Sequence, residues 1–289
     1  MYLLHMDEPN FLNSLTWVAV DTETSGTNPW KYELIEIGAI KFSIEGVLEK
    51  FNVLIKAKKK HDPKSRLIHN ISDSELNMKG ISLKEALLLF YKFIGNSPLI
   101  FHNASFDLSF LYHSSRIHNI LLPENYYYDT LFLFKKHFPD IQSYSLTFLK
   151  EKFKLDCGVS HRATSDAEAT GLLFIELLKQ NISKISSNRK LKTFLRYHRK
   201  LSEFEFKFPE NFDEIDQYIR KLVKLKSSIK INYTHENKKI SEYIIPLDIM
   251  VFNQMLFVKG RVPGLNVTKL IPIKDTVFVD NDLGSVKLQ

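Results

Sequence analysis

The stretch Val18-Ala19-Val20-Asp21-Thr22-Glu23-Thr24-Ser25-Gly26 decides how the rest of the chain is interpreted. Residues 17–20 are short and apolar, which predicts a buried strand. Asp21 and Glu23 follow two positions apart, so their side chains point to the same face. Neighbouring carboxylates repel each other unless a positive group neutralises them, and a divalent cation is the usual partner. A solvated strand end followed by a polar turn is also compatible with this stretch, so the choice between a cation site and a turn depends on other segments of the chain.

Length and composition are typical of a soluble globular protein that is large enough for two domains. The 289 residues are 44% hydrophobic and 25% charged, and a net charge of +7 suits either a polyanionic partner or plain solubility. Cys157 is the only cysteine, which excludes an intramolecular disulfide and a thiolate metal cluster. We therefore expect a reducing, cytoplasmic location. Residues 1–15 do not have the pattern of a secretory signal, and no apolar run approaches a membrane span.

Apolar runs and amphipathic stretches predict an α/β fold with a mixed sheet covered by helices. Residues 17–55 contain three strand-like runs, which favour an antiparallel meander. Ser82 and Glu85 form a capping box before an amphipathic helix. We interpret residues 63–78 as irregular or only briefly helical. The other predicted elements are strands at 98–101 and 126–128 and helices near 107–112, 130–137, 145–153 and 165–180.

The character of the sequence changes near residue 181. Residues 181–226 are rich in basic residues with helical apolar spacing, which predicts a basic helical linker. A solvated basic face is the favoured interpretation of this linker, and contact with nucleic acid is the alternative. Short strands separated by turns follow in residues 227–289, which predicts a small β module. The predicted domains are therefore 1–180, 181–226 and 227–289.

Three separate segments place acids or a histidine at the ends of predicted elements. Besides Asp21 and Glu23, Asp107 lies near a helix start, and His161 precedes Asp166 at the start of the long helix. Strand ends and helix starts can converge on one crevice in an α/β fold. Each residue also has a structural interpretation, because helix-start acids complement the helix dipole and a loop histidine can simply be exposed.

The ordered set of motifs resembles the three exonuclease motifs of the DEDDh family. That family includes the proofreading epsilon subunit of bacterial replicative polymerases, ribonuclease T and oligoribonuclease. The resemblance covers about residues 15–180 and implies a ribonuclease H-like fold. It is carried by Asp21-Thr22-Glu23-Thr24, His102-Asn103-x-x-Phe106-Asp107 and His161-Arg162-Ala163-x-x-Asp166-Ala167-x-Ala169-Thr170.

The resemblance implies a two-metal phosphodiesterase centre. Two Mg²⁺ or Mn²⁺ ions would activate a water and stabilise the leaving 3′ oxygen, and His161 would be the general base. The implied metal ligands are Asp21, Glu23, Asp107 and Asp166. The terminal nucleotide could be contacted by Thr22, Thr24, Ser25 and Asn103. Asp129 resembles a further motif position, although a turn at a strand end explains it equally well.

Residues 227–289 weakly resemble the WYL domain, a small Sm-like or SH3-like β-barrel. The name-giving Trp-Tyr-Leu corresponds here to Leu256-Phe257-Val258, which departs from the family pattern. Arg261, Lys269 and Lys274 are the basic candidates if this module binds an anion. A barrel that only packs or dimerises is the alternative.

These observations predict a metal-dependent 3′–5′ exonuclease that acts on single-stranded nucleic acid, with DNA favoured over RNA. A polymerase or repair protein is a possible partner, and no membrane is involved. Two alternatives stay open at this point. One is an exoribonuclease that trims RNA, because contacts to the 2′-OH depend on shape rather than motif. The other is a regulatory nucleic-acid-binding protein with an inactive nuclease fold.

Overall fold

The chain divides into two compact units, Met1–Glu205 and Phe206–Gln289. The computed structural model describes residues 15–58, 61–157, 161–183, 196–204, 212–235, 238–252, 255–265, 267–273, 276–280 and 284–287. Within these ranges, no helix has both the length and the apolar character needed to cross a membrane. The predicted apolar spacing at 191–195 lies outside them.

A mixed sheet forms the centre of the first unit and confirms the predicted architecture. In space the strands run β3-β2-β1-β4-β5-β6. β2 is antiparallel to both β1 and β3, β4 and β5 run parallel to β1, and β6 is antiparallel to β5. The strand bounds are β1 (Trp17–Thr24), β2 (Leu34–Ser43), β3 (Gly46–Leu54), β4 (Leu99–Phe101), β5 (Tyr126–Asp129) and β6 (Arg199–Lys200). β6 belongs to the segment that we predicted as a linker, so part of that segment completes the first sheet.

Helices connect the strands, and two short ones occupy the segment that was predicted to be irregular or only briefly helical. Between residues 63 and 79 the chain forms two short helices because each has a local cap. Asp62 accepts a hydrogen bond from the Lys64 N–H, and Ser72 accepts one from the Glu75 N–H. The helices of this unit are α1 (Pro63–His69), α2 (Asp73–Lys79), α3 (Leu83–Ile94), α4 (Ala104–Ile117), α5 (Thr130–His137), α6 (Leu146–Lys152) and α7 (Ala163–Ser183).

The long helix α7 packs on β1 and β2 through an aromatic cluster. Trp17, Phe42 and Phe174 are buried, and the ring centroids of Trp17 and Phe42 lie 5.9 Å apart. This packing fixes the helix against the strand that carries Asp21 and Glu23. The first turn of α7 therefore stands beside the end of β1.

Gly38 on β2 is the point of closest approach between the sheet and the start of α7. A Cβ atom placed there would lie 2.2 Å from the carbonyl carbon of Ala163 and from the nitrogen of Thr164. We expect Gly38→Ala to lower the free energy of unfolding by about 1–3 kcal/mol, because the helix start must move. Urea unfolding measures this loss, with Gly171→Ala as the control, since its Cβ would meet side chains rather than backbone, the Phe42 ring at 3.2 Å and the Ala19 Cβ at 3.4 Å. Equal losses in the two variants would contradict this account of Gly38.

The second unit is a six-stranded antiparallel sheet with one helix among its described residues. The strand order is β10-β9-β8-β7-β11-β12, which confirms the predicted β module; its closure into a barrel stays a prediction. Lys269, an anion-binding candidate, pairs with Glu242 at 2.7 Å, and Lys274 lies outside the described residues. The elements are α8 (Phe212–Leu225), β7 (Ile229–His235), β8 (Lys238–Phe252), β9 (Met255–Arg261), β10 (Thr268–Pro272), β11 (Val277–Asp280) and β12 (Gly284–Lys287).

Candidate active site

The carboxylates at the end of β1 meet the first turn of α7. Asp21, Glu23 and Asp166 each offer a carboxylate oxygen, and these three atoms lie within 4.8 Å of one another. Among the described residues, these three acids form the group whose ligand atoms lie close enough together to hold a metal ion. The structure thus brings together residues that are more than 140 positions apart in sequence.

Asp107 on α4 lies beside this group and is tied to β1. Its Oδ1 accepts a hydrogen bond from the Thr22 hydroxyl at 2.7 Å, and the side chain is buried. Thr22 stands between Asp21 and Glu23 in sequence, so the bond fixes Asp107 next to them. All four predicted metal ligands therefore occupy one region of the first unit, with three of them in the tighter group.

Burial raises the pKa values of three acids in this region, and repulsion between the carboxylates adds to the rise. Burial raises the pKa of Asp21 well above its usual value, and the charges of Asp107, Glu23 and Asp166 raise it further. Burial, followed by the charge of Glu36, raises the pKa of Glu23 to about 8. Burial raises the pKa of Asp107 to about 7, although the hydrogen bond from Thr22 opposes the rise. A cluster of oxygen ligands that resists ionisation in this way fits hard divalent cations such as Mg²⁺ or Mn²⁺.

His161 stands at the edge of the site in a strained backbone conformation. Its φ angle is +64°, in the left-handed region, and its side chain is exposed. Its backbone N–H donates to Oδ2 of Asp166 at 2.9 Å. The imidazole is therefore open to solvent while its main chain is held by the buried carboxylate of Asp166.

The sequence profile of the RNase T exonuclease family, described as "Exonuclease", matches residues 18–174. This match covers more than half of the chain, including every residue of the acidic group. The chain belongs to this exonuclease family. His161 and the four acids place it among the DEDDh members of the family, as the sequence predicted.

Two curated relatives illustrate what this exonuclease domain is similar to. The PolC-type DNA polymerase III of Thermotoga maritima is 34% identical over 197 residues, which are 67% of this chain and 14% of that protein. The 3′-5′ exonuclease DinG of Bacillus subtilis is 30% identical over 170 residues, 58% of this chain and 18% of that protein. The chain thus spans less than a fifth of the length of either relative.

A solved structure shares the fold. The zinc-bound form of the complex of Escherichia coli exonuclease I with single-stranded DNA matches with a TM-score of 0.51 at 16% sequence identity. The match covers 93% of this chain and 65% of that chain. At this identity the likeness shows a common fold and no shared residue roles.

Glu36 on β2 is a residue of the exonuclease site that the sequence analysis missed. Its side chain is fully buried and accepts hydrogen bonds from Arg162 Nη2 at 2.8 Å, the Ala163 N–H at 3.1 Å and Asn52 Nδ2 at 2.8 Å. Glu36 thereby anchors the chain immediately after His161. The sequence did contain a signal, because an acid inside an apolar strand needs buried partners.

Three of the four predicted nucleotide contacts, Thr22, Thr24 and Ser25, lie at the end of β1, where their hydroxyls make hydrogen bonds within the protein. The Thr24 hydroxyl donates to the Gly26 carbonyl at 2.7 Å, and Ser25 Oγ accepts from the Glu33 N–H at 2.9 Å. Thr24 and Ser25 are buried, as is Thr22. Asn103 is exposed, with a φ angle of +67° at the start of α4. Contact of these four residues with a substrate stays a prediction.

Asp129 joins two helix starts of the exonuclease domain. Its Oδ1 accepts from the Leu131 N–H at 2.9 Å, which caps α5, and from the Asn103 N–H at 3.0 Å. Its Oδ2 accepts from the Ala104 N–H at 3.2 Å. These contacts give Asp129 a structural part at the end of β5, next to the second motif.

The raised pKa of Glu23 predicts how stability depends on pH. Folded Glu23 keeps its proton up to about pH 8, whereas the unfolded chain releases it near pH 4.5. The folded state therefore binds more protons in this window, and rising pH favours unfolding. In EDTA, we expect the melting temperature of Glu23→Gln to exceed that of the wild type by a margin that grows between pH 5 and pH 8, reaching a few degrees. Calorimetric scans of both proteins measure the margin, and a margin independent of pH would contradict the prediction.

Proposed function

We propose that this protein is a metal-dependent 3′–5′ exonuclease that removes nucleotides from single-stranded nucleic acid. The observation that carries the proposal is that carboxylate oxygens of Asp21, Glu23 and Asp166 lie within 4.8 Å of one another. Family membership supports the reaction type. The products would be nucleoside 5′-monophosphates released from a 3′ end.

The chain's own residues divide the chemistry between binding and proton transfer. Two Mg²⁺ or Mn²⁺ ions, when bound, would supply activation of a water and stabilisation of the leaving 3′ oxygen. Asp21 and Asp166 would hold the more tightly bound ion, and Glu23 and Asp107 would complete the shell. His161 would accept the proton of the attacking water at an imidazole nitrogen, since its ring is exposed and its main chain is bound to Asp166 of the acidic group. The bond that breaks joins phosphorus to the 3′ oxygen of the preceding nucleotide.

DNA is the substrate that we favour. Both relatives are named for DNA polymerase or 3′-5′ exonuclease activity, and the exonuclease I structure contains single-stranded DNA. A net charge of +7 is compatible with a polyanion. A polymerase or repair partner and a cytoplasmic location belong to the same proposal. RNA trimming is the second candidate, and digestion of both nucleic acids side by side separates the two.

The assay uses single strands of DNA and of RNA with a 5′ label, incubated with Mg²⁺, with Mn²⁺ or with EDTA. We expect a ladder that shortens from the 3′ end, faster on DNA, and no digestion in EDTA. His161→Asn should slow turnover by about 10²–10⁴-fold because the general base is lost. His118→Asn, which changes a histidine outside the site, should digest like the wild type. Binding without digestion under any condition would favour the regulatory protein, and a faster rate on RNA would favour the exoribonuclease.

A further inference from the structure

Lys150 of α6 places a buried ammonium group against Asp166, one of the four acids of the site, Asp21, Glu23, Asp107 and Asp166, that form the acidic cluster. Its Nζ lies 3.1 Å from Oδ1 of Asp166, and the side chains of the two residues are each only 10% exposed. Lysine is rarely buried unless it has a charged partner. The sequence predicts no role for this residue, because one lysine in a short helix is usually solvated.

Both oxygens of Asp166 are engaged by the protein itself. Lys150 donates to Oδ1, and the backbone N–H of His161 donates to Oδ2 at 2.9 Å. The carboxylate is therefore fixed in orientation before any cation arrives. Each oxygen keeps a second lone pair, so a cation can still bind the same carboxylate.

We propose that Lys150 is a positioning and charge-balancing residue of the metal centre, where it holds Asp166 and weakens the affinity for divalent cations. The inference rests on the proposed function only in assuming that the acidic cluster binds these cations. Asp21, Glu23, Asp107, Asp166 and one bound phosphodiester together carry five negative charges. Two divalent cations supply four positive charges, and Lys150 supplies the fifth.

Charge balance determines the direction of the effect. Lys150 lies within contact distance of a carboxylate in the group that would bind the ions, so its positive charge repels each entering cation. Removing the charge leaves the cluster more negative and frees Oδ1 of Asp166. Divalent cations should then bind more tightly to the metal-free protein, and the metal-free protein itself should become less stable because the acids repel each other more strongly.

The test is calorimetric titration of Mn²⁺ into metal-free wild type, Lys150→Met and Lys152→Met. Lys152 is on the same helix and exposed, so it controls for the change in net charge. We expect Lys150→Met to lower the Kd for Mn²⁺ by about tenfold or more and Lys152→Met to change it less than twofold. Lys150→Gln removes the same charge while keeping a donor to Asp166, and it replaces Lys150→Met if that variant does not fold.

An unchanged or weaker affinity for Mn²⁺ in the folded Lys150 variants would overturn the proposal. Turnover is measured separately with single-stranded DNA. If the wild type proves inactive on nucleic acid but Lys150→Met still binds Mn²⁺ more tightly, the proposed function fails while the role of Lys150 stands. If the wild type digests nucleic acid but the variants bind Mn²⁺ with the same affinity as the wild type, the proposed function stands and the role of Lys150 fails.

Discussion

Replacing Asp21 with Asn should raise the melting temperature of the metal-free protein while it lowers nuclease turnover by at least about a hundredfold. Burial and the charges of neighbouring acids raise the pKa of Asp21 well above its usual value. The ionised form of Asp21 is therefore unfavourable in the folded protein. A neutral amide of the same shape removes that cost, and we expect a gain of about 1–2 kcal/mol in the free energy of unfolding in EDTA. The loss of turnover follows because an amide is a poor ligand for the ions that carry the reaction.

Asp140→Asn is the matched control for this experiment, since Asp140 is an exposed acid outside the site. It should leave both the melting temperature in EDTA and the turnover within error of the wild type. The opposite signs for stability and activity are the distinctive part of the prediction. A destabilised, inactive Asp21→Asn would instead mean that the carboxylate has a structural role.

Replacing Arg162 with Met should lower the stability of the protein more than Gly38→Ala does. Glu36 is fully buried and its carboxylate accepts hydrogen bonds from Nε and Nη2 of Arg162. Arg162 itself is 40% exposed, but removing it leaves the fully buried carboxylate of Glu36 uncompensated beside Glu23, and we expect a loss of about 3 kcal/mol, the low end for a broken buried pair. The start of α7 should loosen as a result, and turnover should fall about 10–100-fold because Asp166 and His161 are less well placed.

Lys50→Met is the control because Lys50 pairs with Glu168 of α7, whose carboxylate is 21% exposed, whereas that of Glu36 is fully buried. Urea unfolding should show a loss of less than about 1 kcal/mol for that variant. The double variant Glu36→Gln/Arg162→Met should recover part of the stability that Arg162→Met loses, because the uncompensated charge is gone. No recovery would show that Arg162 stabilises the fold by packing rather than by neutralising Glu36.

The sequence predicted the first unit well because its signals are local or ordered along the chain. Apolar runs located β1, β2 and β3, and Ser82 with Glu85 located the start of α3. The motif order also predicted that Asp21, Glu23 and Asp166 would meet. For the strands and the helix start, one short pattern such as an apolar run or a cap is sufficient to determine the local structure, whereas the meeting of the acids followed from the order of the motifs.

The contacts that support the site were beyond the reach of these patterns. Glu36 holds Arg162 across 126 positions of sequence, and Lys150 reaches Asp166 from a different helix. Both contacts depend on how α6, α7 and β2 pack together, which no periodicity encodes. The two helices between residues 63 and 79 agree with the alternative of a briefly helical segment, but their separate bounds were not predicted, since each has only seven residues and is fixed by its caps rather than by an apolar face.

The most direct test of the central claim is anomalous diffraction from crystals of the wild-type protein soaked in Mn²⁺. We predict an anomalous peak at about 2–2.3 Å from carboxylate oxygens of both Asp21 and Asp166, with Glu23 or Asp107 in contact with the same ion or its neighbour. Mn²⁺ found elsewhere on the protein, with no peak between Asp21 and Asp166, would contradict the account.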